Sequence, residues 1–151
     1  REAAPRPGRM ERLPKAMEAA YRTFVAEALT EPPADTVALT GSYLYARLPG
    51  LPDLAGLRFL HGGWWLGAFK KDRFEPSHAL ALGLDARQAR RVADFPADGP
   101  EVLGYLRGET LESAGENGWT LVTVDGYPLG WGKRVDGRLK SHYPKGLRRV
   151  G

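Results

Sequence analysis

The sequence predicts an α+β chain in which a small α/β subdomain, opened by an amphipathic helix, precedes a small antiparallel β-meander or barrel. Three observations carry this prediction. An apolar stripe of helical period runs from Met17 to Leu29. Short alternating apolar runs fill the C-terminal third, punctuated by Asp125-Gly126 and Asp136-Gly137, pairs that favour two-residue hairpin loops. Finally, 19 Gly and 12 Pro among 151 residues interrupt the chain too often for a helical bundle, while 42% hydrophobic content suffices for a core.

Taken in order, residues 1–11 mix Arg, Glu, Ala, Pro and Gly without period and read as linker. A connecting subdomain then spans 12–94. Its helix has Pro14 early, where the missing amide has no partner, and Pro32-Pro33 as a stop. Its face is Met17, Ala20, Tyr21, Phe24, Val25, Ala28 and Leu29. Thr36 to Leu48 reads as a hairpin turning at Thr40-Gly41-Ser42. Residues 48–57 hold too much Pro and Gly for a central strand, and Leu57–His61 and Trp64–Phe69 read as a second strand pair. The stretch EPSHALALGL (75–84) reads as a short buried helix, although its alternation also suits a strand. Asp85 with Gln88 suggests a capping box opening a helix through Ala93. FPADGP (95–100) reads as the linker to a second unit, 98–151, which begins with a helix at Glu101–Arg107 closed by Gly108. Strands at Trp119–Val124, Leu129–Val135 and Arg138–Tyr143 complete it.

Composition removes several chemistries. The chain has no cysteine, so disulfides, thiolate metal sites and a Cys nucleophile are excluded. The three histidines, His61, His78 and His142, lack a second ligand at metal spacing, and no metal or other cofactor is expected. No apolar run is long enough to cross a bilayer, which predicts a soluble chain with no membrane partner. The opening REAAPRPGRM lacks a signal-peptide core and reads as the start of a fragment.

Charge is unevenly distributed. The net +4 combines residues 79–125, with four basic and eight acidic side chains, and residues 126–151, with seven basic and one acidic. Ile is absent and Arg outnumbers Lys 16 to 6, the signature of a GC-rich coding sequence, so a Lys carries more information than an Arg. Three of the six lysines, Lys133, Lys140 and Lys145, lie in the basic tail, and two more are Lys70 and Lys71. A concentrated positive segment attracts a polyanion through phosphate contacts and counterion release.

Two segments carry a more specific pattern: LGAFKKDRFEPSHALALGL (66–84), and GYLRGETL (104–111) followed by GWTLVTVDGYPLGWGKRVDGRLKSHYPKGLRR (118–149). Together they resemble the C-terminal region of RsmF-type small-subunit rRNA cytosine-C5 methyltransferases of the Nop/Sun family. The resemblance spans about Tyr43 to Arg149, with Ser141 standing where Asn would be expected before His-Tyr-Pro. It implies that the second unit is a PUA-like RNA-binding domain and that the first is the segment connecting it to a catalytic domain. In that family the catalytic domain supplies a Cys nucleophile and an S-adenosylmethionine loop, and neither is found in this sequence. The resemblance therefore implies a non-catalytic appendage in the bacterial cytoplasm. Its expected partners are rRNA and a methyltransferase domain, upstream in the same polypeptide or on another chain.

The expected RNA contacts are Lys133, Arg134, Arg138, Lys140, His142, Tyr143, Lys145, Arg148 and Arg149, extended by Lys70 and Lys71, with Arg73 beside them. If Leu139 faces inward, alternation puts Arg138 and Lys140 together on the outer face. Trp131 reads as core more than contact, and Tyr143 as either. Gly130 and Gly132 suit bulges or a close approach to phosphate. Two rival readings remain. One is a small RNA or nucleotide hydrolase using Glu75, His78 or His142 as acid and base, with Glu75 and His78 at i and i+3 of a helix. The other is a protein-docking module that never touches RNA.

Overall fold

A computed structural model describes residues 13–47, 63–71 and 73–148. The expected linker 1–11, the loop 48–57, the strand Leu57–His61 and the candidate contact Arg149 lie outside the described residues.

The predicted helical stripe folds as α1 (Lys15–Ala28), with Pro14 at its N-cap. Tyr21, Phe24, Ala28 and the following Leu29 are buried on its inner face. The next strands are β1 (Val37–Thr40), β2 (Tyr43–Arg47), β3 (Gly63–Lys70) and β4 (Arg73–Pro76). They form an antiparallel sheet in the order β1-β2-β3-β4. Strand β4 takes residues expected at the start of a helix, which instead begins later as α2 (His78–Gly83). Ser77 sets that boundary: its hydroxyl donates to the Trp65 carbonyl at 2.6 Å and accepts the Leu80 amide at 2.9 Å. Glu75 therefore sits in a strand and His78 in a helix, so the expected i, i+3 helical pair does not form.

The Asp85 capping box is present, but it caps a single 3₁₀ turn (Ala86–Gln88) rather than a helix through Ala93. The chain turns extended at Ala89 and becomes β5 (Val92–Phe95). The helix reading fails because α1 competes for the backbone: Arg90 N–H donates to the Ala28 carbonyl and Thr30 N–H to the Gln88 carbonyl, both at 2.9 Å. After α3 (Pro100–Leu106) come β6 (Thr110–Glu112), β7 (Gly118–Val124), β8 (Tyr127–Val135) and β9 (Arg138–Ser141). Their sheet runs β5-β7-β8-β9-β6. The β7-β8-β9 meander is antiparallel as predicted, and β5 adds to it in parallel. Both Asp-Gly pairs turn as expected, with positive φ at Asp125, Gly126, Asp136 and Gly137.

One buried cluster joins Tyr21, Phe24, Leu66, Phe69, Phe74 and Leu80 to Trp119, Leu121 and Trp131 of the second sheet. Trp131 links the layers: its indole N–H donates to the Ser77 carbonyl at 3.0 Å, and its ring meets Phe24 edge-on at 5.9 Å. A smaller cluster of Ala93, Tyr105, Val122 and Leu139 lies beneath α3 and β6. The architecture is α+β and PUA-like, with the second sheet's β8–β9 hairpin projecting beside α1 and β4.

Candidate nucleic-acid interface

Strand alternation decides which cations are available. In β8 and β9, Lys133, Val135, Arg138 and Lys140 are exposed, whereas Arg134, Leu139 and Ser141 are buried. The pairing places Lys133 directly opposite Lys140 and Val135 opposite Arg138. On its other side Lys133 is opposite Trp119 of β7, with its ammonium 4.9 Å from the ring centroid. Like charges directly opposed destabilise a sheet by a few tenths of a kcal/mol. The cation–π contact offsets part of this and holds Lys133 in place.

This row forms one wall of a half-open cleft of about 490 Å³ between α1, β4 and the β7–β9 meander. Phe24 and Phe74 contribute apolar lining, Arg73 adds a cation, and Glu27 and Glu75 add carboxylates. His142 closes the row. Its ring stands edge-on to Trp119 at 4.7 Å, and its amide donates to the Trp131 carbonyl at 3.0 Å. Desolvation, then the neighbouring cations Lys140, Lys133 and Arg148, push its pKa below 6.5, while Glu75 works in the opposite direction. His142 is thus neutral at pH 7.

A pH dependence follows. The unfolded chain protonates His142 near 6.5, above the folded value, so between the two it binds more protons than the native state. Stability contributed by the neutral ring is present above pH 6.5 and is lost as pH falls through that window. His78, whose pKa burial also lowers, acts in the same sense. Urea denaturation from pH 8 to 5 is expected to show declining stability, with a shallower decline in His142→Gln.

The other expected contacts divide by placement. Lys145 is exposed on a 3₁₀ turn (Lys145–Leu147) below the hairpin. Lys70 and Lys71 are exposed at the β3–β4 turn, where Lys70 pairs with Glu75 at 3.2 Å. Tyr143 is half-buried against His78 and Tyr105, at 5.4 and 5.5 Å between ring centroids. Arg148 lies over Gly108 and donates through Nε to the Tyr143 carbonyl at 3.0 Å. Trp131 is core, as expected. Gly130 faces the Tyr105 hydroxyl and Gly132 the Leu139 side chain, so both serve packing rather than phosphate. Ser141 is buried, donates to the Tyr105 carbonyl at 2.9 Å and accepts the Tyr143 amide at 3.2 Å, which gives this departure from the expected Asn a structural role.

Arg134 needs correction as an RNA contact. It is only 5% exposed, and its guanidinium donates to Ser113 Oγ at 2.8 Å and to the Glu116 carbonyl at 3.4 Å. Burial, then nearby Arg91, pushes its pKa below the usual arginine value. Odd-even alternation that exposes Lys133 turns its neighbour inward, where it clamps the loop before β7. Arg134→Lys loses the planar fork. It is expected to cost about 1–3 kcal/mol in thermal or urea denaturation while changing RNA affinity less than about twofold. Conversely, Trp119 lines the cleft although it was not among the expected contacts, and Arg73, expected beside Lys70 and Lys71, lines it too. The Asp125-Gly126 turn alone could not show Trp119's place: continued without interruption it pairs Trp119 with Gly132, and an irregularity between Val122 and Thr123 shifts the register by one to bring Lys133 opposite.

Among the described residues no group of His, Asp and Glu side chains is placed to hold a metal ion. No described helix is long and apolar enough to cross a membrane.

A PUA-like sheet packed against a helix-and-sheet unit, both matched by family models, defines the class: a PUA-type RNA-binding accessory region. The family follows from two matches in chain order. Residues 23–84 match the RsmF rRNA methyltransferase first C-terminal domain, and residues 92–149 match the methyltransferase RsmF PUA domain. The chain belongs to the C-terminal region of the RsmF-type rRNA methyltransferase family. Both matched domains are non-catalytic parts of a methyltransferase.

Proposed function

We propose that this chain grips rRNA by its phosphates through the β8–β9 hairpin and positions it for a methyltransferase domain, upstream in the same polypeptide or on another chain. The observation that carries this reading is the direct opposition of Lys133 and Lys140. A hairpin serving stability alone gains nothing from opposed lysines, whereas phosphates spaced along a strand neutralise both. Arg138 and Lys145 extend the row and Arg73 faces it across the cleft, while Lys70 and Lys71 lie to one side. Tyr143 and Arg148 support the hairpin's base from below. In the same reading the chain divides into a connecting subdomain (12–94) and an RNA-binding domain (98–151), and it works in the cytoplasm, where its rRNA partner is.

The test is direct binding of an rRNA fragment across a salt series. Measurable affinity at about 50 mM salt is expected, with log K falling linearly as log salt rises. Crosslinking the bound complex should attach RNA to the peptide carrying Lys133 to Lys145. No affinity at low salt would overturn the reading, and adducts only elsewhere would overturn the hairpin's part in it.

A further inference from the structure

The cleft holds a feature that phosphate binding leaves unexplained: carboxylates inside a cationic wall. Glu27 and Glu75 both line it, facing Lys133, Lys140 and His142. One Glu75 oxygen holds Lys70 at 3.2 Å, and Glu27 has no ion pair among the described residues. A carboxylate repels phosphate and accepts hydrogen bonds without donating any. A ligand satisfying both kinds of charge must therefore present negative charge to the cations and N–H donors to the carboxylates. Phe24 and Phe74 add apolar lining to the same cleft. A nucleotide carries all three parts: phosphate, flat apolar ring face and polar edge. The volume of about 490 Å³ falls within the range of about 300–1,000 Å³ of small-molecule sites, and suits one nucleotide rather than a duplex. Unpaired bases are the parts of RNA whose Watson–Crick edges are free to be read this way.

We infer that this cleft takes one unpaired nucleotide of the bound RNA and prefers guanine to uracil. The inference rests on the RNA-gripping role of the hairpin and adds base selection to it. The reason for guanine is donor count. Its edge offers the adjacent N1–H and N2–H to both oxygens of Glu27, the carboxylate with no ion pair among the described residues, as a bidentate charge-assisted pair. Uracil offers a single N3–H between two carbonyl oxygens, which a carboxylate repels. The phosphate of the same nucleotide lies against Lys133 and Lys140, and His142, which lines the same cleft and is neutral at pH 7, adds one donor and one acceptor.

The experiment uses two five-nucleotide RNAs, UUGUU and UUUUU, with binding followed by fluorescence anisotropy at low salt. The intact chain is expected to bind UUGUU about tenfold more tightly, within the discrimination one bidentate contact supplies. Glu27→Gln removes a negative charge, so a purely electrostatic surface would bind both RNAs more tightly by the same factor. Base reading predicts instead that UUUUU gains and UUGUU does not, bringing the ratio within about twofold. Thr23→Trp, on the exposed surface of α1, fills the cleft without altering charge and is expected to lower UUGUU to the UUUUU level. Equal binding of both RNAs, with a ratio that neither variant shifts, overturns the cleft's role and leaves the charged hairpin standing. Failure of the intact chain to bind either RNA overturns the hairpin's role as well.

Discussion

Replacing Lys133, Arg138, Lys140 and Lys145 together by Gln is expected to lower affinity for an rRNA fragment a hundredfold or more at about 50 mM salt. The magnitude comes from counterion release. Each phosphate neutralised on a single strand releases about 0.7 of a counterion, worth about 1.2 kcal/mol at that salt. Four simultaneous contacts would give about 5 kcal/mol, and two about 2.4 kcal/mol, close to the hundredfold. The slope of log K against log salt should flatten by about 1.5 to 3 over the same range of contacts. All four side chains are exposed and none has a side-chain hydrogen bond among the described residues, so denaturation midpoints should hardly move. The opposed Lys133–Lys140 pair sharpens this: removing it relieves repulsion within the sheet. The variant is then expected to be as stable as the parent, or slightly more so, while losing its ligand. A structural role for these residues would give the opposite pattern, lower stability with an unchanged salt slope.

The parts of this molecule that were legible in the sequence are those set by short-range chemistry. The stripe from Met17 to Leu29, the two Asp-Gly turns and the alternation placing Arg138 and Lys140 outward all appear in the structure as read. The misreadings occur where a distant segment decides. The 85–93 stretch carries a genuine capping box, yet the carbonyl of Ala28 and the edge of β7 draw Arg90 and Val92–Phe95 into extended pairing. Glu75 and His78 look like neighbours on a helix until Ser77 caps α2 between them. Arg134 was counted with its basic neighbours because charge along a sequence ignores side-chain direction, which alternates residue by residue. The cleft is the clearest case. It brings α1, β4 and three later strands together from distant parts of the chain, so its carboxylates and its Trp119 floor had no local signature.

Trp131→Ala is expected to cost about 3–5 kcal/mol, a large share of the 5–15 kcal/mol that holds a typical domain folded. Trp131 is only 2% exposed and packs on Phe24 and on Trp119, while its indole N–H satisfies the Ser77 carbonyl. Truncation leaves a cavity in the larger cluster and removes one of two donors to the Ser77 carbonyl, which keeps the Ala81 amide at 3.3 Å. Trp131→Phe keeps much of the volume and loses the donor, so about 1–3 kcal/mol is expected from it. The location of Trp131 makes the form of the transition as informative as its midpoint. Phe24, Phe74 and Leu80 belong to the first matched region and Trp119, Leu121 and Trp131 to the second, yet all lie in one buried cluster. Two independently stable units would give one shifted and one unshifted transition when Trp131 is cut back. A shared core gives a single transition that moves as a whole, with far-ultraviolet signal and tryptophan fluorescence lost together. The single transition is expected here, because Phe24 and Phe74 share one buried cluster with Trp119, Leu121 and Trp131 across the two regions. RNA binding by Trp131→Phe should then fall only as far as its folded fraction falls.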